Sequence, residues 1–120
     1  MSEPAPMRRQ ATRASDVRVG SATDGLAPVS TAQRSLAARA YQYLGNYNAS
    51  TSAWDDISAA NPSQATAFEC LAANAYAAGQ TRKGDLASAK ALSLVPKLQR
   101  TLLKGRLDQA KTNPQAAQAC

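Results

Sequence analysis

Cys70 and Cys120 are the only thiols in the chain, and a thiol can act as a nucleophile, a metal ligand or a redox partner. Neither stands in a C-x-x-C pair, and the 120 residues include no histidine. The commonest zinc ligand, the commonest general base and the base of a Ser-His or Cys-His nucleophile pair are therefore missing. Cys70 sits inside an apolar helical pattern. Two cysteines fifty residues apart, one of them on a core face, do not read as a disulfide framework. Asp55 and Asp56 are adjacent, so on a helix they point apart and read as surface acids rather than a paired-carboxylate site. The stretch TRKGD at 81–85 evokes a phosphate loop but lacks the G-x-x-x-x-G-K-[ST] frame. Asn48-Ala49-Ser50 is a glycosylation acceptor by pattern alone. The expectation is a protein that is not an enzyme and that uses no cofactor and no metal.

The charge is more informative once it is located. The net charge is +6. Up to residue 81, Arg8, Arg9, Arg13, Arg18, Arg34 and Arg39 balance Glu3, Asp16, Asp24, Asp55, Asp56 and Glu69. From 82 to 111, Arg82, Lys83, Lys90, Lys97, Arg100, Lys104, Arg106 and Lys111 face only Asp85 and Asp108. The whole excess lies in the C-terminal third. Hydrophobic residues are 44% of the sequence, much of it alanine, and aromatics only 5%, a balance that favours closely packed helices over a sheet sandwich. No stretch approaches the roughly 18 to 20 apolar residues of a membrane span. The first thirty residues lack the apolar run of a signal peptide, so the expected compartment is the cytoplasm.

The elements that would carry these residues follow from periodicity and punctuation. Residues 1–29 mix Pro, Gly, Ser, Thr and charge without period and read as disordered or loosely attached. Ala32, Leu36, Ala40, Tyr43 and Leu44 recur at helical spacing, with Ser30 or Thr31 as cap and Gly45 as a left-handed stop. A second helix holds Tyr47, Ala53, Trp54, Ile57 and Ala60, ending at Asn61-Pro62. Ser63 can cap a third, with Ala67, Phe68, Leu71, Ala72, Ala75 and Tyr76, ended by Gly79. A fourth runs over about 83–94 through Leu86, Ala89 and Leu92 and stops before Pro96. A fifth, 97–111, carries Leu98, Leu102, Leu103, Leu107 and Ala110, and Asn113-Pro114 closes it. Residues 113–120 read as a flexible tail.

Three pairs, Ala38 and Ala72, Gly45 and Gly79, Pro62 and Pro96, share one offset of thirty-four residues. That is the period of the tetratricopeptide repeat, a helix-turn-helix unit. With position one at Thr31 and at Ala65, the chain resembles this family place by place. Ala38 and Ala72 fall on the small position eight, Tyr41 on the aromatic position eleven, Trp54 on the large position twenty-four, and Pro62 and Pro96 on position thirty-two. Phe68, Leu71, Ala91 and Leu92 also match, and KALSLVPK is similar to the family's usual ending. The departures are Ala37 at a large position, Ser50 and then Gly84 at position twenty, and Ser88 where an aromatic is usual. Gly84 should weaken its helix by roughly 0.5 to 1 kcal/mol relative to alanine.

The resemblance implies an all-α fold, a right-handed α-solenoid fragment of two tandem hairpins. The repeats would span 31–64 and 65–98, with a closing helix at 97–112, in one domain over 30–112. It implies protein or peptide recognition on a groove lined by the first helix of each hairpin. The groove positions here are Ser35, Arg39, Gln42 and Tyr43, then Glu69 and Tyr76. Tyr43 and Tyr76 are the candidate anchors, and packing between hairpins is the other reading of Tyr76. Trp54 reads as core.

Lys97, Arg100, Lys104 and Lys111 share one face of the fifth helix, which is either a solvated face or a docking surface for an acidic protein segment, nucleic acid or an anionic membrane. Two repeats are few for a stable array. Leu98, Leu102 and Leu107 can cover one end, while the outer face of the first hairpin needs a partner, self-association or the N-terminal segment. The function expected is an adaptor or assembly subunit, with a chaperone-like holder of a secreted or disordered client and a basic nucleic-acid-binding module as alternatives.

Overall fold

The computed structural model describes residues 30–120. The N-terminal segment 1–29, expected to be loosely attached, lies outside the described residues. Five α-helices follow one another, α1 (Thr31–Tyr43), α2 (Tyr47–Ala60), α3 (Ala65–Ala77), α4 (Thr81–Leu94) and α5 (Lys97–Thr112), and a 3-10 helix covers Pro114–Ala119. No strand occurs among the described residues. The fold is all-α, as the composition predicts.

Glycine and proline set the boundaries as expected. Gly45 (φ 76°) and Gly79 (φ 79°) both adopt the left-handed conformation that is cheap only without a Cβ. Each closes its helix with the same pair of bonds. The Gly45 and Asn46 amides donate to the Gln42 and Tyr41 carbonyls, and the Gly79 and Gln80 amides to those of Tyr76 and Ala75. Helices starting at Thr31 and Ala65, and at Tyr47 and Thr81, keep the offset of thirty-four residues. The caps are less regular. Asn46 caps α2 through its side chain, but α3 starts after Gln64 without a side-chain cap, so Ser63 does not play the part expected of it.

Neighbouring helices pack in series, α1 on α2, α2 on α3 and α3 on α4, and α5 returns against α3 and α4. Helix α3 is central, with Ala67, Cys70, Leu71, Ala72, Ala73, Asn74, Ala75 and Tyr76 all buried. The helices around it bury mainly small side chains, namely Ala38, Ser50, Ala87 and Ala91, and small facing residues let helix axes approach closely. Trp54, Ile57, Leu71, Leu103 and Leu107 fill the remaining space.

This packing turns several helices away from the face that their large apolar residues suggest. On α1 the buried positions are Ala38 and Gln42, whereas Leu36, Tyr43 and Leu44 are exposed and Tyr41 is 41% exposed. On α4, Gly84, Ala87, Ser88 and Ala91 face inward and Leu86 outward. On α5, Leu103, Leu107 and Ala110 are buried while Leu98 and Leu102 are 94% and 71% exposed, so the expected cover through Leu98 and Leu102 is not made. A stripe of large apolar residues marks a core only where the opposing surface is large and flat enough to receive it. Here the inward positions of α1 and α4 are mostly small, Ala38, Gly84, Ala87 and Ala91.

Residues 113–120 are not a free tail in this structure. The Asn113 side chain accepts from the Gln115 amide at 3.1 Å, Pro114 supplies the first residue of the 3-10 turn, and Ala117 is fully buried. A disulfide joins Cys120 to Cys70 on α3, with Cα atoms 5.6 Å apart. The sequence alone does not support a disulfide framework, since the two cysteines lie fifty residues apart and Cys70 falls on a core face; the return of α5 onto α3 is what removes that distance.

Candidate functional site

A polar cluster holds α1, α2 and α3 together beneath the surface. The Asn74 amide on α3 donates to Gln42 Oε1 at 3.0 Å and to the Cys70 carbonyl at 2.8 Å. Ser50 donates to Asn74 Oδ1 at 2.6 Å, and Trp54 Nε1 donates to Gln42 Oε1 at 2.7 Å. Gln42, Ser50, Trp54 and Asn74 are all buried, so each bond replaces one that water would otherwise supply. Gln42, expected to face a groove, is therefore a core residue. Position-based reading misses Asn74, because asparagine in an alanine-rich stretch gives no periodic signal.

Tyr76 is likewise not a surface anchor. It is buried between α3 and α4, donating to Asp85 at 2.6 Å and lying 3.1 Å from the Ser88 hydroxyl. A Cβ on Gly84 would overlap its ring, so the glycine that weakens α4 also makes room for Tyr76. Burial first, and then the bond to Asp85, push the Tyr76 hydroxyl up to about 12. The same bond, reinforced by Lys111, lowers Asp85 below its ordinary value. The stretch TRKGD is thus absorbed by packing. Lys83 pairs with Asp55 at 2.6 Å, Gly84 receives the Tyr76 ring, and Asp85 accepts its hydroxyl. In the glycosylation pattern, Asn48 accepts from Gln80 and Ser50 is wholly buried.

What remains as a site is the face shared by α1, α3 and α5, where the 3-10 segment lies. An open pocket of about 600 Å³ is bounded there by Arg39, Glu69, Ala73, Arg106, Cys70 and Cys120 among others. Arg39 Nε donates to the main-chain oxygen of Cys120 at 2.7 Å. Glu69 takes Arg106 in a two-point pair, 2.8 Å from Nε and 3.2 Å from Nη2, which raises the Arg106 pKa further. From the other side, the Gln118 amide donates to the Gln42 main-chain carbonyl at 2.5 Å and to the Tyr47 hydroxyl at 2.9 Å. Arg39 and Glu69 of the sequence-based groove are therefore brought together. Ser35 is half-buried on α1, and Tyr43 is 85% exposed, outside this pocket. Arg106, Gln118 and the two cysteines complete the site.

The basic face of α5 is partly neutralised. Lys97, Arg100, Lys104 and Lys111 are all exposed. Lys104 pairs with Asp108 at 3.1 Å, and Lys111 pairs with Asp85 at 3.4 Å and lies 5.8 Å from the centre of the Tyr76 ring. Arg100 Nε donates to the Val95 carbonyl at 3.3 Å. Exposed pairs of this kind contribute little to stability, but they reduce the positive field available to a phosphate.

Among the described residues, these features define an all-α arrangement of five α-helices whose α1, α3 and α5 face carries a short segment of the same chain. Comparison with protein-family models, with curated proteins and with solved structures finds no match to the chain. No helix among the described residues is long and apolar enough to cross a membrane.

Proposed function

We propose that this chain is a non-catalytic protein-protein interaction module, a tetratricopeptide-like pair of hairpins with a closing helix, serving as an adaptor or assembly subunit of a larger complex. The observation that carries this reading is the α1, α3 and α5 face, which already holds a peptide segment: Arg39 donates to the main-chain oxygen of Cys120, and the Gln118 side chain donates to the Gln42 carbonyl on α1. A cation on the face that takes a main-chain oxygen of the segment suits recognition of a chain rather than of a small molecule. Shared glycine turns and the offset of thirty-four residues between helix starts support the repeat assignment. Leu36, Tyr43 and Leu44, exposed on one side of α1, add an apolar rim that a partner or a second copy can cover.

Capture with the full chain from its native source, followed by cross-linking and mass spectrometry, tests the reading. A protein recovered at fixed stoichiometry, cross-linked to α1, α3 or α5 and lost with Arg39→Glu, supports the adaptor. A single unfolded client would shift the function to a chaperone-like holder. Recovery that nuclease abolishes would contradict both and point to the basic face.

A further inference from the structure

We propose that residues 114–120 are a ligand held in cis by the α1, α3 and α5 face, and that opening of the Cys70–Cys120 bond by a dithiol reductant frees this face for a peptide segment of the same chemistry. That chemistry is a run of small side chains bearing an amide, with a main-chain oxygen presented to Arg39. The proposal rests on the reading of this face as the partner surface.

Apart from the covalent bond, the segment is lightly attached. Ala117 is fully buried and Ala116 is half-buried against the core, but Pro114, Gln115, Gln118 and Ala119 are exposed. Its polar contacts to the rest of the fold, Arg39 to Cys120 and Gln118 to Gln42 and Tyr47, are open to water or only part-buried, and such bonds are individually weak. The disulfide is therefore the dominant restraint. It is also reachable, because both cysteines line the open pocket and Cys120 is only half-buried, whereas Cys70 is 4% exposed.

Exchange accordingly starts at Cys120. A thiolate of the dithiol attacks Cys120 Sγ, the sulfur-sulfur bond breaks, and Cys70 leaves as a thiolate that takes up a proton. The second thiol of the reductant, as thiolate, then attacks its own sulfur in the mixed disulfide, releasing Cys120, which is protonated in turn. The protein bond gains two electrons and two protons, and the dithiol becomes a disulfide. In an oxidising compartment the face stays occupied. In a reducing compartment the pair would be open.

The test uses the full chain in three forms: oxidised, reduced with dithiothreitol, and carrying Ala117→Glu with Cys120→Ser. The probe is a synthetic peptide, Asn-Pro-Gln-Ala-Ala-Gln-Ala-Ser, which matches residues 113–120 with serine in place of Cys120 and so keeps the main-chain oxygen that Arg39 takes. Amide exchange over 114–119 should rise at least about tenfold on reduction while α1 to α5 keep their protection. In nuclear magnetic resonance titrations, the peptide should shift Arg39, Glu69, Ala73 and Arg106 in the double variant and bind the oxidised chain at least about tenfold more weakly, because a tethered segment competes at high effective concentration.

Equal protection of 114–119 in oxidised and reduced chains overturns the proposal. So does an intact double variant that ignores the peptide. If the double variant does not fold, the reduced chain gives the same comparison, and loss of helical protection on reduction would show that the bond serves the fold rather than a gate. The two readings fail separately. A captured partner cross-linked away from this face would sink the assignment of the surface and leave the peptide result standing, whereas a partner bound there equally well by the oxidised chain would sink only the gate.

Discussion

Gly84 and Tyr76 pack directly against each other, and each explains the other. In an exposed helix, replacing glycine by alanine gains about 1 kcal/mol. Here the added Cβ meets the Tyr76 ring, which is itself fixed by Asp85 and Ser88. Gly84→Ala should therefore destabilise the fold by about 1 to 3 kcal/mol, the usual range for forced overpacking, read as a lower urea midpoint. A rise in the midpoint would mean that the ring moves freely.

Tyr76 also predicts a pH dependence. Its hydroxyl ionises near 12 in the folded chain against 10.0 ordinarily, so the folded state keeps a proton that the unfolded state gives up. Stability should be level below pH 10.0 and fall as the pH rises towards 12. Asp85 works in the opposite direction. Its lowered pKa contributes stability above the ordinary 3.8, and this is lost as the pH falls through the folded value. In Tyr76→Phe, thermal unfolding followed across pH should lose the alkaline component and weaken the acidic one. An unchanged alkaline slope would place the burden on another group.

At the scale of elements, α5 separates two readings of one stripe. Leu103 and Leu107 are buried against the bundle, whereas Leu98 and Leu102 point to solvent. Leu103→Ala should cost about 2 to 5 kcal/mol, while Leu102→Ala should stay within about 0.5 kcal/mol, both measured by urea unfolding. The reverse order would restore the sequence-based face. Helix number and limits were legible from the sequence because Gly45, Gly79, Asn61-Pro62, Pro96 and Asn113-Pro114 interrupt the helices by local chemistry alone. Helix faces were not. Small residues do the close packing: Ala38 and Ala91 fall on repeat positions and were legible, but Ala87 carries no periodic signal, and the larger leucines point to the wrong faces. Of the expected groove residues, Gln42 and Tyr76 are core, whereas Arg39 and Glu69 line the open pocket.

For the whole molecule, the path of the chain decides what the local signals could not. The disulfide spans a sequence separation of fifty residues and ties the 3-10 segment to the central helix. A loop of that length should contribute about 4 kcal/mol through the unfolded state, within the usual range of 2 to 4 kcal/mol or somewhat less where native geometry resists. Cys120→Ser should lower the urea midpoint accordingly while far-ultraviolet circular dichroism keeps its helical form. No pattern in the sequence announces this tie, since it depends on α5 folding back to bring residues 113–120 over α3.

The position of a bound partner is the most direct test of the α1, α3 and α5 face. Amide exchange of the full chain, reduced and bound to the protein recovered from its native source, should show new protection confined to the Arg39, Glu69, Ala73 and Arg106 region of α1, α3 and α5. Protection found only on the Lys97, Arg100 and Lys104 side of α5, or no protection at all in a stoichiometric complex, would contradict it.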